Sequence, residues 1–244
     1  MLLNESFDNV GRWLFKWRSF LPLLTVGLFL TALRRFSYPA GSHHLDLLWE
    51  SISFGVALLG LVIRIITVGN IPRGTSGRTT DTPKAAVLNT TAMYSIIRHP
   101  LYLGNFFIWL GISMLPRSLF FSLSAILLFF LYYERIISAE EKFLLEKSGQ
   151  DFMKWANVTP MIMPRFKNWR KSEIPFSWKT VFKREYTGFF AIITTFTCLE
   201  ISGDLFYLGK WQFDLEWIVV FLVGLITYIL LLTLKKIGLL NNKG

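Results

Sequence analysis

Apolar residues fall in discrete runs, at about 15–36, 46–69, 101–116, 118–138, 186–202 and 214–235. A helix rising ~1.5 Å per residue needs about 20 such residues to cross a membrane's hydrocarbon core. The pattern therefore predicts an all-α, polytopic integral membrane protein with about six transmembrane helices. The third run is short, and Pro116-Arg117 joins it tightly to the fourth, which predicts an antiparallel helical hairpin. The fourth run ends in Tyr133-Glu134-Arg135 and leads into an amphipathic helix. There Phe143, Leu144, Phe152 and Trp155 are expected to face the bilayer or the bundle.

Charge placement gives the chain a direction. Arg73, Arg78, Lys84 and Arg98 follow the second run. A longer basic series from Lys142 to Arg184 follows the fourth, and Lys235, Lys236 and Lys243 follow the last. In a six-span chain these segments share one side with the N-terminus, and short Lys/Arg-rich loops stay in the cytoplasm. Both termini are therefore expected inside. Arg34 and Arg35 oppose the rule and are expected to snorkel to the outer headgroups. Residues 203–212, with Asp204 set against Lys210, suit an outer loop, and Glu200 is placed at the interface. Arg12, Lys16 and Arg18 precede the first run, but no small-residue cleavage site ends it, so it is expected to remain as a span.

Composition changes this picture little. Hydrophobic residues make up 52% and charged residues 17% of the chain, below the quarter or so usual in soluble domains. The net charge of +10 is explained by topology and anionic headgroups, so no nucleic-acid partner is expected. Cys198 is the sole cysteine, which excludes an intrachain disulfide and a thiolate zinc site. His43 and His44 are adjacent and cannot form a helical i, i+4 metal pair, so no metal site is expected.

Three segments carry candidate chemistry. In the first, Asn89 to Asn105, Pro100 suits the first turn of a helix, whose free N–H groups would then face Arg98 and His99. That is a ready anion site, although both residues would serve equally to cap a membrane helix. Tyr102 and Asn105 lie one turn in, and Gly104 permits a close approach by a helix or ligand. In the second, Glu134, Arg135, Glu140 and Glu141 gather where span meets headgroup. The carboxylate pair could hold an ammonium or guanidinium, or make ordinary helix-surface pairs. In the third, Pro72-Arg73-Gly74-Thr75-Ser76-Gly77-Arg78 could cradle a phosphate, but it lacks the Walker spacing.

Together the segments resemble the isoprenylcysteine carboxyl methyltransferase and phospholipid methyltransferase superfamily. Thr90, Tyr94, Arg98, His99, Pro100, Tyr102 and Gly104 match its Thr-x-Gly-x-Tyr-x-x-x-Arg-His-Pro-x-Tyr-x-Gly pattern. Glu140, Glu141, Leu144, Leu145, Gly149 and Trp155 match the later Glu-Glu pattern. Ala92 stands where Gly is usual, and Trp155 where Tyr is commoner. The resemblance covers about residues 50–165. It implies a membrane methyltransferase using S-adenosylmethionine in a cytoplasmic pocket closed by the helix that ends the core. On that basis His99, Tyr102, Glu141, Leu101 and Gly104 are the cofactor-binding candidates, and Arg98, Glu140 and Arg78 the catalytic ones. A similar Arg-His-Pro motif occurs in NADPH-dependent sterol reductases, and an inactive lipid-binding protein is a third reading. Glu140-Glu141 favours methyl transfer.

The arginine-rich loop suits an anionic acceptor, so Arg73, Arg78 and Asn105 are the substrate-binding candidates. The loop and two extra C-terminal spans are similar to bacterial relatives that methylate lipid A phosphate. The expected acceptor is thus a lipid phosphate in a bacterial inner membrane, with prenylcysteine carboxylate or an amine headgroup as alternatives. The expected organisation is a four-span core at 1–160, a basic connector at 161–185 and a helical pair at 186–244.

Overall fold

A computed structural model describes residues 26–34, 36–72 and 87–240, together with 10, 13 and 14. The described residues are helical, with no strands. Helix α1 spans Val26–Leu33, α2 His43–Gly69, α3 Met93–Ile96, α4 Pro100–Met114, α5 Leu119–Val158, α6 Trp178–Leu208 and α7 Leu215–Lys236. Four of these, α2, α5, α6 and α7, are long and apolar enough to cross a membrane. The chain is a polytopic membrane protein. Most of the expected first span, 15–36, lies outside the described residues, as do Arg35 and the loop carrying Arg73, Arg78 and Lys84.

Local chemistry sets the helix limits. Ser42, Ser118 and Ser177 cap α2, α5 and α6 by accepting from Leu45 N, Phe121 N and Thr180 N. Gly209, at φ 68°, ends α6 in the left-handed conformation. Pro100 occupies the first position of α4, with His99 as its cap.

Helix α4 is antiparallel to α2 and touches it closely. A Cβ on Gly60 would run into Gly104 O, and one on Gly111 into Ser53 O. Small residues thus let two backbones meet, as is common between membrane helices. Helix α6 packs on the other side of α2, and α7 returns along α6. Phe29, Ala57, Leu61, Ile112, Ile192, Phe196 and Trp217 form the shared core. Helix α6 is therefore packed into the core, whereas α7 reaches it through Trp217 and leaves most of its apolar surface exposed.

Helix α5 has 40 residues, about 60 Å of helix against a ~30 Å hydrocarbon core. Its far half must therefore project into the headgroup and aqueous region. Expected as two elements, it is one helix, interrupted only at Gly149, with φ 48° and ψ −119°. Glu140 and Glu141 lie just over 30 Å along it, by the same ~1.5 Å rise, which is where the hydrocarbon ends. Phe152 and Trp155 are buried, and Phe143 and Leu144 half-buried.

Two expectations at the opposite end need correction. The outer loop at 203–212 shrinks, because α6 runs on to Leu208. Asp204 is buried within it and accepts a hydrogen bond from Tyr38 at 2.7 Å. Glu200 is also buried, at 3% exposure, and does not sit at an open interface. Carboxylates from α2, α6 and the start of α7 crowd together there despite their mutual repulsion, which the linear charge pattern does not reveal.

Candidate active site

Short backbone bonds build the site. The stretch before α4 is pinned by the connector after α5: Arg98 N donates to Pro160 O, Arg165 N to Ile96 O, and Ala92 N to Arg170 O, each at 2.9 Å. Trp155 Nε1 adds a bond to Tyr94 O at 2.9 Å. These contacts hold the Arg98-His99 step against the middle of α5.

The two candidate segments meet there. Arg98 Nη1 lies 2.9 Å from Glu141 Oε1 and 3.0 Å from Oε2. His99 Nε2 lies 2.9 Å from Glu141 Oε1, and its Nδ1 is 3.6 Å from Glu140 Oε2. Tyr102 Oη donates to the same Glu140 oxygen at 2.9 Å, and its ring stacks on His99 with centroids 5.6 Å apart. The anion at the start of α4 is therefore supplied by the chain, and the guanidinium beside the Glu pair is Arg98. Charge and helix dipole both favour that arrangement.

His99 is 7% exposed. Burial works against its imidazolium, but hydrogen bonds and charge from Glu140 and Glu141 outweigh that and raise its pKa above the ordinary 6.5. Protonated, His99 donates from Nε2 to Glu141, while its Nδ1 lies in ion-pair range of Glu140.

A second layer orients Asn105. Arg64 Nη1 donates to Asn105 Oδ1 at 2.6 Å, and Asn105 Nδ2 donates to Tyr133 Oη at 2.8 Å. Arg64 also grips Glu185 of α6 through Nε and Nη2. Gly104 faces Gly60 and Arg64, so the close approach it permits is by α2. Leu101 is half-buried on the first turn of α4. Arg73 and Arg78 lie outside the described residues.

The sequence reading missed Arg64, Tyr133 and Glu185. The signal for Arg64 was present: an ionisable residue inside an apolar run is costly and usually purposeful. Glu185 had none, because only the packing of α6 on α2 brings it near.

Beside the motif, between the far half of α5 and the connector, opens a cavity of about 1100 Å³. Lys147, Lys154, Lys167 and Arg170 line it against Asp151 alone, so its field suits an anion. Thr90 and Ser95 of the first motif segment and Trp155 of the second also line it.

Residues 51–151 match the phospholipid methyltransferase family (PEMT). Both motifs lie largely within the matched residues, and the matching family belongs to the superfamily that they resemble. Over 122 residues the chain is 30% identical to the nickel-cobalt-cadmium resistance protein NccN of Alcaligenes xylosoxydans xylosoxydans, covering 50% of this chain and 57% of that one. Over 95 residues it is 35% identical to the cobalt-zinc-cadmium resistance protein CzcN of Cupriavidus metallidurans, covering 39% and 41%. The chain spans about half the length of the curated relatives it matches. No solved structure matches. The matched residues contribute α4, most of α2 and the Glu-Glu part of α5, the parts that assemble the His99 cluster.

Proposed function

We propose that this chain is an S-adenosylmethionine-dependent methyltransferase acting on a lipid-linked acceptor at the cytoplasmic face of a bacterial inner membrane. The foremost acceptor is a lipid phosphate, such as that of lipid A. The observation that carries the reading is Glu141, held 2.9 Å from both Arg98 and His99 within the family segment.

The donor set fits the cofactor. Arg98 Nε is buried and has no hydrogen-bond partner among the described residues, so the guanidinium retains a donor for a carboxylate. Glu140 and Glu141, both half-buried, suit an ammonium. Bound there, the cofactor supplies an electrophilic methyl group on a sulfonium. His99 and Tyr102 would orient Glu141 and Glu140, and the close α2–α4 packing would keep water out of one side. Arg98, Arg73 and Arg78 would draw an anionic acceptor into line, where alignment supplies much of the acceleration. A phosphate oxygen is already anionic and needs no base. An amine headgroup would need one, and Glu140 would then take the proton. Support for an anionic acceptor comes from the basic cavity beside the motif. The metal-resistance names of two relatives fit such a product, since a methylated phosphate offers divalent cations one ionisable oxygen fewer.

The test is label transfer from methyl-labelled S-adenosylmethionine to total lipid of a Gram-negative membrane, followed by mass analysis, with His99→Ala in parallel. The expected result is one methyl on the phosphate of an anionic glycolipid, lost in the variant. Label in a zwitterionic lipid would replace the acceptor, and no transfer to any lipid or prenylcysteine would overturn the reading.

A further inference from the structure

At the end of the bundle away from His99, five carboxylates converge. Asp46 and Glu50 come from the first turns of α2, Glu200 and Asp204 from the last turns of α6, and Asp214 caps α7. Glu50 and Arg64 are 14 residues apart on α2, or ~21 Å along the helix, so this cluster is separate from the methyltransferase site. Asp46, Glu50 and Asp204 are each 1% exposed and Glu200 is 3% exposed.

Their partners do not balance the charge. Arg117 pairs directly with Asp46, also donates to Ser37 O, and comes only to 3.9 Å from Glu50. Burial lowers its pKa, but a guanidinium remains charged at neutral pH. Neutral donors serve the others: Trp217 Nε1 to Glu50 at 2.8 Å, Tyr38 Oη to Asp204 at 2.7 Å and Gln212 Nε2 to Asp214 at 3.2 Å. No neutral donor reaches Glu200, whose two oxygens are buried without a donor among the described residues, and its near neighbour is the Glu50 carboxylate, with which it can share a proton. A buried, undonated carboxylate costs several kcal/mol unless a proton or a cation meets it.

Geometry separates these two remedies. One oxygen each from Glu200, Asp204 and Asp214 lies within 4.8 Å of the other two. Metal–oxygen bonds of ~2.3–2.6 Å place ligands on opposite sides of an ion about 5 Å apart. One proton joins only two oxygens, as Glu50 and Glu200 could share one, and leaves Asp204 and Asp214 beside them, whereas one ion can serve all three clustered oxygens of Glu200, Asp204 and Asp214. We infer that Glu200, Asp204 and Asp214 form a binding site for a divalent cation of the hard, oxygen-preferring class. Glu50 faces that site, and the Arg117–Asp46 pair closes its far side. Tyr38 and Gln212 orient the ligands as outer partners do in built metal sites. His43 Nε2, 3.6 Å from Asp214 Oδ2 and 42% exposed, stands at the solvent edge. The ion would fasten the end of α6 to the start of α7. This inference does not depend on methyl transfer.

The test uses the full chain in detergent, stripped with a chelator and titrated with Mn²⁺ alone. Binding is read from loss of the free-ion paramagnetic signal and from the thermal unfolding midpoint. The expected result is a single Mn²⁺ retained, a raised midpoint, and competition by Ca²⁺ or Mg²⁺. The Glu200→Gln/Asp214→Asn variant should lose the ion yet fold, because it removes buried charge. His99→Ala should keep it. Wild-type protein that retains no Mn²⁺, or a double variant that retains as much, would overturn the inference. So would a metal-free chain whose midpoint simply rises on acidification while Mn²⁺ has no effect, since shared protons would then satisfy the carboxylates.

Discussion

Arg64 grips Glu185 with two nitrogens, Nε to Oε2 at 2.8 Å and Nη2 to Oε1 at 2.9 Å, across 121 positions of sequence. The pair ties α6 to α2, while the third nitrogen of Arg64 positions Asn105 beside the candidate active site.

That pair should behave as a buried one, since Glu185 is 6% and Arg64 22% exposed. Glu185→Ala strands the guanidinium and should cost about 2–4 kcal/mol, with the partial exposure of Arg64 keeping it toward the lower figure. Replacing both residues by Leu should cost less than Glu185→Ala alone. Unfolding midpoints of the three variants in detergent check this, and a double variant worse than the single would contradict it.

His99 should make stability depend on pH. Its folded pKa lies above the ordinary 6.5, so its contribution is fully present below about 6.5 and is lost as pH rises through the higher folded value. The unfolding midpoint should fall across that interval. His99→Gln should flatten the curve there while leaving the acid side, governed by carboxylates, in place.

Ala92 turns the chain with φ 50° and ψ −129°, a conformation that side chains resist. It stands where the family pattern has Gly. Ala92→Gly should therefore stabilise the protein, by about 1 kcal/mol. A lower unfolding midpoint in that variant would show that the turn costs nothing here.

Gly60→Ala should destabilise by about 1–3 kcal/mol, because the added Cβ meets the backbone at Gly104 O and Ile108 N, not a movable side-chain end. By prying α4 from α2 it should also weaken methyl transfer. Gly55→Ala, with nothing within 4 Å of its Cβ, serves as the control for helix propensity.

Cofactor affinity separates the proposed roles. His99→Ala and Glu141→Ala should each weaken S-adenosylmethionine binding in calorimetric titration, whereas Arg78→Ala should mainly weaken acceptor binding. Unchanged cofactor affinity in both of the first two would refute the assignment.

The sequence alone determined the class of fold, because a bilayer demands long apolar helices whatever their packing. It also determined that Arg98-His99 opens a helix, since Pro100 is a local signal, and it set Glu140-Glu141 just beyond an apolar run. Tertiary structure decided the rest. It set Glu141 against Arg98 and His99, gave Gly104 to α2, recruited Arg64 and Glu185, and buried Glu200 among four other acids. Each of these is a contact between helices far apart in sequence. A hydropathy pattern fixes how deep a residue sits in the membrane, but only the rotation and neighbours of its helix fix what it faces.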